Sequence, residues 1–165
     1  MSKRKVCLDT QIMIWGIKDQ FTPNRKEIAE KAKHFVKKLN DENTKIVIPS
    51  VVLAEMMSNV PEDERSKVLN CFTKNFQIQP FDARTALIYA DRYYKKYFDP
   101  LTGHETIMEG SRETIVADLM VVASAKAADV DVLYSEDSDV HKLSKEFIKA
   151  SRIPDAMGQM DFFEE

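Results

Sequence analysis

Short apolar runs rich in β-branched residues alternate with helix-spaced apolar sets along nearly the whole chain, and this alternation leaves few folds open. Residues 5–8 and 45–48 are near-continuous apolar runs of the kind found in strands covered on both faces. Between them Ile28, Ala29, Ala32, Phe35, Val36 and Leu39 recur at helical spacing, and Asn24 with Glu27 three residues later predicts a capping box. Ser50 is the expected cap of a helix through 51–57. Pro61 suits the first turn of the next helix, which carries Val68, Leu69 and Phe72, and a weak strand follows at 76–79. Asp82 is expected to cap a long helix with Ala86, Leu87, Ala90, Tyr93, Tyr94 and Tyr97, ending before Pro100. After an irregular stretch at 99–112 come an apolar helix over 114–128, a strand at 130–135 and a helix over 139–150 with Val140, Leu143, Phe147 and Ile148 inward.

Such a pattern predicts an α/β fold, a parallel sheet sandwiched by helices and joined by right-handed crossovers. At 165 residues the expectation is one domain spanning 1–165, with a core over about 3–150 and an edge strand or tail over 151–165. A hydrophobic share of 44% against 31% charged excludes a disordered chain. No run approaches the roughly 18 apolar residues of a membrane helix, and the basic start before Asp9 lacks a signal-peptide cleavage site, so a cytoplasmic protein is expected. Cys7 and Cys71 form no metal-binding spacing. The net charge of -3 gives no basic footprint for nucleic acid, yet a bound cation inverts the local sign of a site and leaves a metal-dependent nuclease open.

Three of the apolar runs each hold one charge, and in each it is a carboxylate: Asp9, Glu55 and Asp118. Burying an ionised carboxylate without a partner is costly, so something must compensate these three. Asp9 falls at the carboxyl end of the first strand and Asp137 just beyond the strand at 130–135, the edge where open parallel sheets form ligand sites. Glu55 and Asp118 fall within the first two turns of helices that could overhang that edge. Two unit charges about 4 Å apart repel by about 4 kcal/mol at an effective dielectric near 20, and a divalent cation is the simple remedy. All-oxygen ligands suit Mg2+ or Mn2+ rather than zinc. Taken singly, Asp9 reads equally well as a helix cap, while Glu55 reads more readily as the partner of a lysine and the acidic cluster Glu136, Asp137 and Asp139 as a solvated turn; their conjunction favours a site.

In order along the chain, Leu8-Asp9-Thr10-Gln11, Leu53-Ala54-Glu55, Ala117-Asp118-Leu119 and Ser135-Glu136-Asp137-Ser138-Asp139 resemble the acidic signature of PIN-domain ribonucleases. That resemblance implies a PIN-like three-layer α/β/α sandwich with a central, mainly parallel sheet of four to five strands. It implies Asp9, Glu55, Asp118 and Asp137 as catalytic acids, and Mg2+ or Mn2+ held by Asp9, Asp118 and Asp137, with Asp139 competing for the last place. Gln11 stands where many members have Asn, and Ser135 where Thr is common. Thr10 and Ser135 are candidates to hydrogen-bond a phosphate or a carboxylate, with local capping the alternative. Arg112 is a candidate contact to the substrate backbone, against simple solvation. The partners implied are an RNA substrate and, for so compact a stand-alone domain, the antitoxin of a toxin-antitoxin pair; apolar helix faces are compatible with a homodimer. Basic patches at Lys3, Arg4 and Lys5 and at Lys37 and Lys38 read mainly as solvated, Tyr93, Tyr94 and Tyr97 mainly as core, and His104 is the one histidine in the long loop. The rival from another class is a catalytically silent PIN-like module that binds RNA or a protein.

Overall fold

The computed structural model describes residues 2–18, 22–97 and 110–155. Five strands, β1 (Lys5–Leu8), β2 (Lys45–Pro49), β3 (Gln77–Gln79), β4 (Val132–Tyr134) and β5 (Ala150–Ser151), form one sheet in the order β3-β2-β1-β4-β5, and every pairing is parallel. The helices are α1 (Thr10–Met13), continued by a π turn at Ile14–Lys18, then α2 (Lys26–Asp41), α3 (Ser50–Ser58), α4 (Glu62–Asn75), α5 (Ala83–Tyr97), α6 (Arg112–Ala127) and α7 (Ser138–Ser144). From β1 to β3 the chain steps one way across the sheet, and from β3 through β4 to β5 it steps back past β1. Helices flank this sheet as an α/β/α sandwich: α2 and α6 pack on β2, α6 also on β3, and α5 and α7 pack against α6. The direction reverses between β1 and β4, so their carboxyl ends flank the switch point of the sheet.

Val6, Cys7 and Leu8 of β1, Val47 and Ile48 of β2 and Leu133 of β4 have no solvent exposure, as strands covered on both faces require. Phe35 of α2 meets Tyr134 of β4 edge to face, with centroids 4.7 Å apart. A left-handed residue follows both α2 and α6, Asn43 at φ 57° and Asp129 at φ 53°, and each turns the chain from helix into the next strand. No helix among the described residues is long and apolar enough to cross a membrane.

Several local expectations need correction. Asn24 sits in a 3-10 turn (Pro23–Arg25), where its Oδ1 accepts from the Thr22 hydroxyl, and the capping position of α2 is taken by Arg25 with no side-chain bond. Ser50 does not cap α3, because Pro49 holds that position and the Ser50 hydroxyl accepts from Phe81 N at 3.1 Å. The last helix stops at Ser144 instead of reaching Ala150, and the edge strand falls at Ala150–Ser151 rather than after Arg152. Glu146 takes φ 59°, and Phe147 and Ile148 pack on the core from a turn. Arg92 of α5 closes this broken end, donating Nε and Nη2 to Leu143 O (3.0 and 2.8 Å) and Nη2 to Lys145 O (2.5 Å).

The apolar face of α5 is also displaced from the expectation. Thr85, Ile88, Tyr89, Arg92 and Tyr93 turn inward, whereas Leu87 is 73% exposed and Tyr94 55%. Tyr93 packs on the core as expected, Tyr94 does not, and the side chain of Tyr97 lies outside the described residues, as do His104 and most of the 99–112 stretch. Replacing Arg92 with Met should cost about 2–3 kcal/mol in urea unfolding, because charge-assisted bonds to otherwise unpaired carbonyls are lost. Leu87→Ala should change unfolding stability by less than about 0.5 kcal/mol at concentrations where the chain is monomeric, because Leu87 is largely exposed within its own chain; a larger loss there would put Leu87 in an intramolecular contact.

Candidate metal centre

The carboxyl edge carries the acids on the elements that leave it. Asp9 ends β1 and caps α1, its Oδ1 accepting from Ile12 N at 3.1 Å. Its Oδ2 accepts from the Ser135 hydroxyl, which in turn accepts from Asp137 N at 3.0 Å. One fully buried hydroxyl at the end of β4 thus ties the acid that follows β1 to the backbone of the acid that follows β4. Ser135 therefore serves a carboxylate and is closed to a phosphate. Asp137 caps α7 through Asp139 N at 2.7 Å, and His141 reaches back to Ser135 O at 2.7 Å.

Glu55, exposed on α3, accepts a hydrogen bond from the Thr10 hydroxyl across the cleft. Thr10, like Ser135, makes its bond to a carboxylate. Asp118, on the second turn of α6, is half-buried, and its Oδ2 is a buried oxygen that no donor among the described residues reaches. Asp118, Asp137 and Asp139 each offer an oxygen within 4.8 Å of the other two. Asp139 is 3% exposed and already receives Gly110 N at 2.7 Å and faces Lys142 Nζ at 3.6 Å, whereas Asp137 is exposed and lines the cleft. Asp137 and Asp139 thus approach the same point from different sides, and Asp9 stands beside this triple in the cleft wall.

The electrostatics single out two of these groups. Burial first, then the charges of Asp137, Asp9, Asp139 and Glu55, push the Asp118 carboxyl up to about 7 from an ordinary 3.8. Asp9 rises to about 6, again chiefly through burial, against the lowering pull of its bonds from Ser135 and Ile12. Neutral carboxylic acids would relieve the crowding with protons; a divalent cation would relieve it at neutral pH and also occupy the bare Oδ2 of Asp118. An all-oxygen donor set with one uncommitted buried oxygen fits a hard cation such as Mg2+ or Mn2+.

The cleft has a volume of about 730 Å3, and besides the acids it is walled by Thr10, Gln11, Trp15, Thr22 and Arg25. Trp15 and Arg25 were not singled out by sequence. Neither belongs to a motif, and only the π turn and the 3-10 turn, which no periodicity announces, bring them to the cleft. Arg112 begins α6, exposed and outside the cleft wall, so the structure does not bring it to the acids. Lys3, Arg4 and Lys5 lie at the amino end of β1, at the edge opposite the acids. Glu136 reaches the cleft but is engaged by Arg152 Nη1 at 3.3 Å and Ile153 N at 2.7 Å.

Comparison with known proteins agrees with this architecture. VapBC2 from Rickettsia felis, solved bound to a DNA fragment from their promoter, is similar at a TM-score of 0.60 and 17% identity, covering 91% of this chain and 99% of the other. DNA-bound VapBC from Salmonella typhimurium is similar at a TM-score of 0.61 and 14% identity, covering 92% and 99%. VapBC-1 from nontypeable Haemophilus influenzae gives 0.57 and 14%, covering 90% and 97%. No curated protein matches the chain in sequence. The PIN domain family model matches residues 6–146, from the first strand to the turn that ends α7, and the chain belongs to the PIN domain family.

Proposed function

We propose that this chain is a metal-dependent ribonuclease that hydrolyses RNA phosphodiester bonds, with endonucleolytic cleavage favoured by the open cleft. The observation that carries the reading is the buried Oδ2 of Asp118, which no donor among the described residues reaches, amid four other carboxylates that raise its proton affinity. Membership of the PIN domain family supports a nuclease. Asp118, Asp137 and Asp9 would hold Mg2+ or Mn2+, with Asp139 behind them. Bound there, the ion would supply a Lewis acid for the phosphate oxygens and lower the pKa of water. Glu55, held by Thr10, orients or deprotonates the water that attacks phosphorus, and the P–O bond to the leaving ribose oxygen breaks. Ser135 fixes the carboxylate of Asp9, and the remaining cleft wall positions the strand.

As for partners, the likeness to VapBC assemblies over nine-tenths of the chain supports the toxin of a toxin-antitoxin pair, held inactive by an antitoxin segment over the cleft. Exposed Leu87 and Tyr94, seven residues apart on one face of α5, support a homodimer. Light scattering of the purified chain should then give twice 19.0 kDa, and the Leu87→Glu variant should give the monomer.

RNA cleavage should require Mg2+ or Mn2+, stop in EDTA, and fall at least about 100-fold in Asp118→Asn while the fold survives. The same variant should raise the stability of the metal-free chain at pH 8 by on the order of 1 kcal/mol, since a strained buried charge is removed. Cleavage unchanged in Asp118→Asn would overturn the assignment, and metal binding without cleavage would favour the silent module.

The raised carboxyls set the pH dependence. Between about pH 4 and pH 7 the folded metal-free chain keeps protons on Asp118 and Asp9 that the unfolded chain has released, so its stability falls as pH rises through that window. Thermal melts in EDTA should show this decline. Mn2+ at about 100 times its Kd should restore about 2.7 kcal/mol at pH 8 and less at pH 5, where protons compete for the same oxygens. A metal-free chain that gains stability between pH 5 and 7 would contradict the reading.

A further inference from the structure

The cleft wall holds five carboxylates, Asp9, Glu55, Asp118, Glu136 and Asp137, and one cation among its described lining residues, Arg25. A cation at the acids neutralises only the phosphate it touches, so the neighbouring phosphates of a strand entering the cleft would face uncompensated negative charge. Arg25 is exposed and lines the same cleft as the acids. It closes the 3-10 turn Pro23–Arg25 and enters α2, and its backbone N donates to Thr22 O at 2.8 Å, so its main chain is fixed.

Among the described residues the side chain of Arg25 makes no hydrogen bond or ion pair. The same is true of Arg84 and Arg112, but of these three Arg25 alone lines the cleft, whereas the other arginines are engaged. Arg92 is spent on Leu143 O and Lys145 O, Arg152 on Glu136, Arg4 on the Tyr134 hydroxyl at 2.8 Å and Arg65 on Val60 O at 3.0 Å. No ion pair among the described residues engages the Arg25 guanidinium, although five carboxylates share its cleft. A guanidinium exposed beside that many acids, and pairing with none of those described, is available to an anion that the acids themselves repel. Its planar fork of donors matches the oxygens of a phosphodiester.

We infer that Arg25 binds a backbone phosphate of the RNA strand flanking the phosphate to be cleaved, and so sets how the strand is threaded past the acids. The inference rests on the ribonuclease reading and adds to it a substrate-holding residue outside the acidic set.

The test uses the full chain and a fluorescently labelled single-stranded oligoribonucleotide, with equilibrium binding in Ca2+ over a range of KCl and steady-state cleavage in Mn2+. Arg25→Gln should weaken binding about tenfold and make the slope of log K against log salt shallower by about 0.7, the value for one lost phosphate contact on a single strand. Arg25→Lys should keep the slope and recover part of the affinity. In cleavage, Arg25→Gln should raise KM more than it lowers kcat, and Mn2+ binding without RNA should stay at the wild-type level. If the wild type cleaves and Arg25→Gln matches it in Kd, salt slope and KM, the inference fails while the ribonuclease reading stands. If the wild type neither binds nor cleaves the oligonucleotide, both fail.

Discussion

Mutual repulsion among carboxylates at one edge of the sheet is the constraint on which the rest of this molecule depends. Asp118 feels Asp137, Asp9, Asp139 and Glu55 together, while its own Oδ2 is buried with no donor among the described residues. A fold can hold such a cluster only if other interactions over-determine the positions of its members. Here the sheet does so from below, because β1 and β4 are adjacent and parallel and deliver Asp9 and Asp137 side by side at the switch point.

The finer positioning comes from two hydroxyls. Ser135 joins Asp9 to the Asp137 backbone, and Thr10 takes hold of Glu55 from the opposite side of the cleft. These donors act on charged acceptors, where hydrogen bonds are strongest, and they favour the ionised forms that burial opposes. Asp118 is left out of both arrangements. The cluster is thus held around one buried carboxylate oxygen that no donor among the described residues reaches, a position a resident cation would fill.

Much of this was legible in the sequence because it followed from periodicity and from charges in the wrong place. The apolar runs of β1 and β2 located the sheet, and the carboxylates of Asp9, Glu55 and Asp118, each alone in such a run, stand around one cleft. What was not legible depends on contacts made at a distance. The register of α5 was misjudged because Leu87 and Tyr94 share helical spacing with the buried residues, and only packing against α6 decides which face turns inward. The end of α7 was overrun because Val140, Leu143, Phe147 and Ile148 suit a helix, whereas Arg92, fifty-one residues before Leu143, stabilises the broken form. Asn24 and Ser50 carry capping chemistry but spend it elsewhere, and Arg25 and Trp15 reach the cleft through irregular turns.

Two of the acids, Asp9 and Asp137, also start helices, and this double duty bears on how such a chain can change over generations. Asn caps a helix about as well as Asp does. One nucleotide change that turns either residue into Asn would therefore keep α1 or α7 properly begun while removing a charge from the crowd. Under the proposed ribonuclease reading, a charge could therefore be lost from the site with little penalty to the fold. Capping would thus hold α1 and α7 in place whether or not the charge is present, so the helix starts do not themselves require the carboxylates.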